Sequence, residues 1–243
     1  MVYLHGDIHG SVRKILEWMD SLDNTVYGKE KVYLIMLGDV GLNLYLDEKD
    51  LEKKTQLQEK IEQLRIQGID VCMLCVRGNH ECRPANITTY IKKQTEIGIV
   101  YCENQFPDIW FLMDGEIYNI EQKDYLVLGG GNSADYFSRI LNQEPFWSDE
   151  GYTLVEQNDI KKNLIEKVKE KVTVLAHVLP KGKSVGIHNK TAGLDVEEFA
   201  EDIFDIFQEK ITDWYCGHYH IDTEFENKGI RYHILYKKMK SIV

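Results

Sequence analysis

Long hydrophobic runs are absent from this sequence of 243 residues. No apolar run approaches the ~18 residues that a membrane-spanning helix needs, so we expect no transmembrane segment and no membrane partner. The N-terminus lacks a basic region followed by an apolar core, so we also expect no signal peptide. Internal repeats, low-complexity tracts and linkers are absent as well. We therefore expect a single domain over residues 1–243, long enough to bury about three-quarters of its unfolded surface.

Cysteine is also scarce, and basic residues are fewer than acidic ones, with 29 Lys and Arg against 40 Asp and Glu. The five cysteines are odd in number and have no framework spacing, which predicts reduced thiols and a cytoplasmic location. Cys72 and Cys75 are an odd step apart in an apolar run, so in a strand they would pack on opposite faces. The formal net charge is −11, which argues against nucleic acid as a partner because such an interface needs clustered Lys and Arg.

Strands and helices alternate in the first third of the sequence. Apolar runs over residues 2–4, 31–37 and 70–76 predict three buried strands. Amphipathic segments lie between them, including a long one rich in Glu, Lys and Gln over residues 47–67. This alternation favours a parallel sheet. In open α/β sheets, ligands bind at the carboxyl ends of the strands, so the residues that follow each strand are the first candidates for chemistry.

The pattern changes after residue 80. A short helix is expected to run to about residue 97, and His233 is expected at the surface. Closely spaced apolar runs predict a meander over residues 109–113, 116–120 and 125–128. Further strands are predicted over 171–176, 213–216 and 230–236, and further helices over 160–171 and 196–210. Residues 181–194 are expected to form a flexible loop, and residues 132–150 either a lid over a substrate or an ordinary packed loop.

Side chains with metal-ligand chemistry recur where the predicted strands end. They occur in Gly6-Asp7-Ile8-His9, Gly38-Asp39, Gly78-Asn79-His80-Glu81, His177 and Gly217-His218-Tyr219-His220. Each motif alone is also explained by a turn or by a structural histidine. Taken together, seven of their residues offer oxygen and imidazole ligands and no thiolate, which is too many for one ion but suits two: Asp7, His9, Asp39, Asn79, His177, His218 and His220. This donor set points to Mn, Fe or Zn rather than Ca²⁺, with Mn favoured.

The ordered motifs resemble those of the calcineurin-like metallophosphoesterase superfamily, in its bacterial form. The resemblance implies an α/β fold, a four-layer α-β-β-α sandwich with mixed sheets. It also implies a role for each ligand in binding two divalent or trivalent metal ions. The first ion would be held by Asp7, His9 and His220, the second by Asn79, His177 and His218, and Asp39 would bridge them.

The same resemblance implies a function. The protein would be a dinuclear-metal-dependent phosphoesterase that hydrolyses a phosphate mono- or diester by in-line attack of a metal-bridging hydroxide. His80 lies next to a ligand without being one, which makes it the candidate general acid. Arg83 and Arg139 are candidate phosphate clamps, with a surface role as the alternative for each. The expected substrate is a phosphorylated small molecule or a phosphoprotein.

The second motif departs from one branch of the superfamily. The stretch Gly38-Asp39-Val40-Gly41-Leu42-Asn43 lacks the Asp that orients the catalytic His and the phosphate-binding Arg of protein serine/threonine phosphatases. This departure argues against a dedicated phosphoprotein phosphatase. Two alternatives to a phosphoesterase of this general type are a nuclease of the same superfamily, disfavoured by the acidic balance, and a non-enzymatic scaffold, disfavoured by the full ligand set. The sequence leaves the oligomeric state open.

Overall fold

Strands outnumber helices in the part of the chain that the computed structural model describes, residues 1–28, 30–133, 136–184 and 195–242. The strands are β1 (Val2–His5), β2 (Val32–Leu37), β3 (Val71–Val76), β4 (Tyr90–Gln94), β5 (Ile99–Glu103), β6 (Phe106–Leu112), β7 (Ile117–Ile120), β8 (Lys123–Leu128), β9 (Val172–Ala176), β10 (Ile211–Cys216), β11 (Thr223–Asn227), β12 (Ile230–Ile234) and β13 (Lys240–Ser241). The α-helices are α1 (Arg13–Asp20), α2 (Asn24–Tyr27), α3 (Glu48–Ile66), α4 (Tyr136–Asn142), α5 (Leu154–Lys167), α6 (Lys181–Ser184) and α7 (Asp195–Phe207).

The strands form two mixed sheets. The first has the order β13-β1-β2-β3-β6-β5-β4, in which β1, β2, β3 and β6 run parallel. The second has the order β11-β12-β10-β9-β8-β7, in which β12, β10, β9 and β8 run parallel. Antiparallel strands occupy the edges of both sheets. The predicted parallel arrangement of the first three strands is therefore confirmed.

Three hydrophobic cores separate four layers. One core lies between the first sheet and α1 and α3, where Ile15 and Ile61 are buried. The second lies between the two sheets and contains Leu74 and Leu175. The third lies between the second sheet and the helices α5 and α7, where Phe199 is buried. The order helix, sheet, sheet, helix is the predicted α-β-β-α sandwich, and both of its sheets are mixed.

Strand β3 shows how a doubly covered sheet uses its sequence. Every residue of β3 is buried, because one face meets the other sheet and the opposite face meets the helices. Cys72 lies in the core between the sheets and Cys75 in the core beneath the helices. The prediction that these two cysteines pack on opposite faces is confirmed, and all five cysteines are free and buried.

The long helix α3 lies where the charged amphipathic segment predicts it. The Asp47 carboxylate accepts a hydrogen bond from the backbone N of Lys49 at 2.9 Å and so caps the N-terminus. Gly68 follows the C-terminus with φ +87°, a conformation that glycine adopts without steric cost. None of the described helices is long and apolar enough to cross a membrane.

Three expectations for the region after residue 80 are wrong. Only a 3₁₀ turn, Pro84–Asn86, replaces the expected helix, and the chain then forms the β4–β5 hairpin around Gly98. The expected meander is divided, because β6 joins the first sheet whereas β7 and β8 pair in the second. Local strand propensity does not determine which of the two sheets a strand joins. Helix α5 also begins earlier than expected, at Leu154, because Thr153 and Glu156 form a capping box.

The expected surface position of His233 is also wrong. Its side chain is buried, with Nε2 3.1 Å from Asp213 Oδ1, and its ring stacks on Tyr215 at a centroid distance of 4.3 Å. The buried carboxylate partner offsets the cost of removing the imidazole from water. Of the loop expected over 181–194, residues 181–184 form α6, and residues 185–194 lie outside the described residues.

We predict that Leu74→Ala lowers the free energy of unfolding by about 2–5 kcal/mol, because it opens a cavity between the two sheets. Leu74 is 0% exposed. Chemical denaturation measures the change. The matched control is Leu154→Ala at the start of α5, where the side chain is 77% exposed and a change within about 0.5 kcal/mol is expected. Equal losses in the two variants would contradict the position of this core.

Candidate metal centre

The predicted ligands follow the carboxyl ends of parallel strands in both sheets. Asp7 and His9 follow β1, Asp39 follows β2, Asn79 follows β3, His177 follows β9, and His218 and His220 follow β10. Because the two sheets face each other with these ends at the same side, the loops converge. The structure thereby brings all seven side chains into one connected cluster. Their roles as metal ligands remain predictions.

One group of ligand atoms lies at the open side of the cluster. His9 Nε2 and His220 Nε2 are 2.9 Å apart, and His220 Nε2 is 3.1 Å from Asp7 Oδ2. The hydrogen bond with Asp7 raises the pKa of His220. Asp7 is buried and accepts a hydrogen bond from the backbone N of His218 at 2.9 Å, whereas the His9 and His220 side chains are 35% and 48% exposed. Asp7, His9 and His220 form a group that could hold a metal ion.

A second group lies deeper. His177 Nε2 is 2.9 Å from Asn79 Oδ1, and His218 Nδ1 is 3.2 Å from the same oxygen. His177 and Asn79 are buried, and His218 is half-buried. The histidines of the first group are thus more exposed to solvent than the residues of the second.

Asp39 lies between the two groups. Its Oδ2 is 3.5 Å from His177 Nε2 and 3.9 Å from His9 Nδ1. Burial alone would raise the pKa of Asp39, but the neighbouring imidazole of His177 outweighs it and holds that pKa well below its usual range. Burial likewise opposes the charged form of His177, yet the Asp39 carboxylate raises the pKa of His177 to about 9. Asp39 is therefore close to one candidate ligand of each group, His9 and His177.

The hydrogen bonds around His177 test whether the cluster fits a cation. His177 Nδ1 donates to the Leu37 carbonyl oxygen at 2.8 Å, which leaves the lone pair of Nε2 facing Asn79 Oδ1 in the neutral ring. Two acceptor atoms at 2.9 Å repel each other unless a positive charge lies between them. A proton on His177 meets this need, and a metal ion meets it equally. The donor set therefore fits a metal.

The glycines of the motifs make room for ligands of other motifs. A Cβ atom built on Gly38, Gly78 or Gly217 would lie 2.1, 2.0 or 2.1 Å from a side-chain atom of His177, Asp39 or Asp7, respectively. No residue larger than glycine fits at such distances. Asp7, Asp39 and His177 thus each depend on a glycine from a different motif, which explains why Gly precedes Asp39, Asn79 and His218.

The backbone at the cluster is unusual as well. Four of the candidate ligands have a left-handed conformation, with positive φ values at His9 (46°), Asp39 (48°), His218 (65°) and His220 (53°). This conformation is uncommon for residues other than glycine, and such strain concentrates at functional sites.

His80 lies at the edge of the cluster. Its backbone N donates to Asp39 Oδ1 at 3.0 Å, and its Nε2 is 3.8 Å from Asp39 Oδ2. The side chain is 15% exposed, so part of it faces the open side. His9, Asp39 and His80 are also close enough to form a group that could hold an ion. The position of His80 therefore suits either a proton donor to a substrate or a ligand.

The two candidate phosphate clamps have other contacts. Arg83 donates to the Asp149 carbonyl oxygen at 2.7 Å and also contacts the Gly151 carbonyl and the Glu156 carboxylate. Arg139 lies in α4 and donates to the Pro145 carbonyl oxygen at 3.4 Å. The guanidinium of Arg83 thus holds the segment that leads into α5. The roles of both arginines as phosphate clamps remain predictions.

Sequence reasoning missed the residues that hold the ligands in place. The buried Glu81 carboxylate accepts hydrogen bonds from the backbone N of Gly41 at 2.8 Å and of Leu42 at 3.2 Å, and so fixes the loop after Asp39. Burial, together with Asp39, raises the pKa of Glu81 to about 7. An acidic residue directly after the Gly-Asn-His motif is a signal that could have found it.

The segment over residues 132–150 is bounded by buried polar residues. Ser133 and Glu150 are both buried and hydrogen-bonded to each other, and α4 lies between them. Residues 134 and 135 lie outside the described part. The lid interpretation and the packed-loop interpretation both stay open for the residues between. No local sequence pattern marks Ser133 or Glu150, because Ser133 bonds to Asn79 and to Glu150, both of which are distant in the chain.

The family model for calcineurin-like phosphoesterases matches residues 2–222. The chain therefore belongs to this family of metal-dependent phosphoesterases. Comparison with curated proteins gives no match.

Two solved structures are similar to this chain. Phosphopantetheinyl hydrolase from Mycobacterium tuberculosis is 12% identical, with a TM-score of 0.50 over 97% of this chain and 89% of that one. A dimetal phosphatase from Danio rerio is 14% identical, with a TM-score of 0.45 over 97% of this chain and 86% of that one. At 12% identity, the likeness to the hydrolase concerns the fold alone.

We predict that Gly78→Ala abolishes the rise in the thermal unfolding midpoint that Mn²⁺ causes in the unchanged protein. The new Cβ would displace the Asp39 carboxylate, and a ligand ion stabilises only the state that binds it. Gly182→Ala is the control, because its Cβ would meet only the flexible Glu201 side chain, at 3.1 Å. A Mn²⁺-induced rise of the same size in Gly78→Ala would show that Asp39 is not required for binding.

Proposed function

We propose that this protein is a dinuclear-metal-dependent phosphoesterase that hydrolyses a phosphate mono- or diester. The observation that carries the proposal is the arrangement of the ligand atoms. Two groups of oxygen and nitrogen acceptors face each other, and the Asp39 carboxylate lies between them. Positive charge at the centre of this arrangement would stabilise it, because carboxylate and amide oxygens and imidazole nitrogens lie so close together there.

The residues divide into two sets of metal ligands. Asp7, His9 and His220 would hold the first ion, and Asn79, His177 and His218 the second, with Asp39 shared. When bound, the ions would supply positive charge to a phosphate group and acidify a water molecule. The absence of thiolates from the donor set favours Mn, with Fe and Zn as alternatives.

Side chains around the ions would then admit the phosphate and supply a proton to the leaving group. The exposed sides of His9 and His220 leave an approach for the phosphate from solvent. Hydrolysis requires in-line attack of a water oxygen on phosphorus, and the leaving oxygen requires a proton. His80, partly exposed at this side, would supply that proton as the general acid. The backbone N of His80 also donates a hydrogen bond to Asp39. One residue would thus position a metal ligand and protonate the leaving group.

The substrate belongs to the same proposal. We infer a phosphorylated small molecule or a phosphoprotein, because the net charge of −11 opposes the binding of a polyanion such as nucleic acid. The free state of all five cysteines supports a cytoplasmic location.

We predict that chelation removes activity toward p-nitrophenyl phosphate or bis-p-nitrophenyl phosphate and that Mn²⁺ restores it. Asp39→Asn should reduce the Mn²⁺-restored rate by more than about 100-fold, because loss of a shared ligand affects both ions. The rates of p-nitrophenol release from the two substrates show whether the protein prefers the monoester or the diester. Asp213→Asn, a buried aspartate of β10 paired with Arg231, is the control and should retain activity. Undiminished activity after chelation, or in Asp39→Asn, would contradict the dinuclear proposal.

We predict that His80→Ala keeps its bound metal but loses ~10²–10⁴-fold in rate on an alkyl phosphate, whose leaving group needs a proton. The loss on p-nitrophenyl phosphate should be much smaller, since p-nitrophenolate leaves without protonation. Rates on the two substrates and the metal content of the purified variant are measured together. Equal losses on both substrates would exclude the general acid role, and loss of metal would identify His80 as a ligand.

A further inference from the structure

The side-chain amide of Asn79 has a defined direction. Its oxygen faces the imidazoles of His177 and His218, and its nitrogen donates a hydrogen bond to Ser133 Oγ at 2.8 Å. An amide can coordinate a metal only through its oxygen, so the reverse orientation would turn two N–H bonds toward the site. The oxygen and the NH₂ group of the amide have nearly the same size. The orientation of the Asn79 amide must therefore come from its hydrogen-bond partners.

Glu150 determines what Ser133 can do. Ser133 donates its hydroxyl hydrogen to Glu150 Oε2 at 2.5 Å and its backbone N–H to Glu150 Oε1 at 3.0 Å. A serine hydroxyl carries one hydrogen, so toward Asn79 the Ser133 oxygen can only accept. The nitrogen of the Asn79 amide must therefore face Ser133, and its oxygen must face the metal centre.

The chain on both sides of Asn79 holds Glu150 in this position. The buried guanidinium of Arg77 donates to the Glu150 carbonyl oxygen at 2.7 Å and is paired with Asp114 at 3.1 Å. Arg83 holds the neighbouring carbonyls of residues 149 and 151. The side chains of residues 79, 133 and 150 are all buried, so solvent does not compete strongly with these hydrogen bonds.

We propose that Glu150 and Ser133 are positioning residues that fix the direction of the Asn79 amide and thereby the affinity of the second metal position. This inference rests on the proposed dinuclear function. It also gives Arg77 and Arg83 a common role, since both hold the segment that contains Glu150.

The substitution Glu150→Gln tests the proposal without removing bulk. The amide nitrogen of the introduced glutamine would donate to Ser133 Oγ, and the Ser133 hydroxyl hydrogen would then point toward Asn79. That hydrogen favours the reversed Asn79 amide. Isothermal titration of the metal-free protein with Mn²⁺ measures the two affinities. We expect two ions in the unchanged protein, and in Glu150→Gln one affinity unchanged and the other weaker by roughly 10–100-fold.

The Asn79→Asp background separates a positioning role from a merely structural one. A carboxylate presents an oxygen to the metal whichever way it turns, and the Ser133 hydroxyl in the Glu150→Gln variant could donate to its other oxygen. Adding Glu150→Gln to Asn79→Asp should therefore cost no affinity. A structural role would cost the same in both backgrounds. Ser133→Ala is a second variant, which removes the acceptor and should weaken the same ion.

The outcomes distinguish this inference from the function on which it rests. Fewer than two Mn²⁺ ions bound to the unchanged protein would overturn the dinuclear proposal and this inference with it. Two ions in the unchanged protein, with unaltered affinities in both Glu150→Gln and Ser133→Ala, would overturn the positioning role alone. It would also be overturned if Glu150→Gln cost the same affinity in the unchanged protein as in the Asn79→Asp variant.

Discussion

The interaction between Asp39 of the first sheet and His177 of the second is the one on which the site depends. Each group is buried and each shifts the pKa of the other, so neither would be tolerated alone. The surrounding structure serves this contact. Gly38 leaves space for the His177 ring, Gly78 leaves space for the Asp39 carboxylate, and the backbone of His80 holds that carboxylate from the other side. The left-handed backbone at Asp39 is part of the same arrangement.

Much of the site could be predicted because its signals are local. Near-continuous apolar runs mark β1, β2 and β3, and a strand followed by Gly and a polar residue identifies the ligand-bearing loops. Parallel strands bring such loops to one edge of the sheet, so residues that follow different strands can be predicted to lie near one another. His177 is a lone histidine and would not stand out without the other motifs. Its predicted role as a ligand rests on the order of the whole set and on a family resemblance that the family model confirms.

The remainder could not be predicted because it depends on contacts between distant segments. Nothing near β7 in the sequence indicates that it joins a different sheet from β6. Nothing near His233 indicates that it will be buried in a hydrogen bond with Asp213. The contact from Asn79 through Ser133 to Glu150 spans three segments that only the folded chain brings together. Sequence patterns indicate which residues are buried. The orientation of the Asn79 amide depends instead on hydrogen-bond partners that the sequence pattern does not identify.

The ligands of each proposed ion come from both sheets, and this division has a consequence for folding. His9 and His220 are 211 positions apart, yet their ring nitrogens are within hydrogen-bond distance. An ion at that point would be a cross-link that closes almost the entire chain into a loop, much as a long-range disulfide does. Separation of the two sheets would then require release of both ions, so metal binding and the cooperativity of unfolding would be coupled.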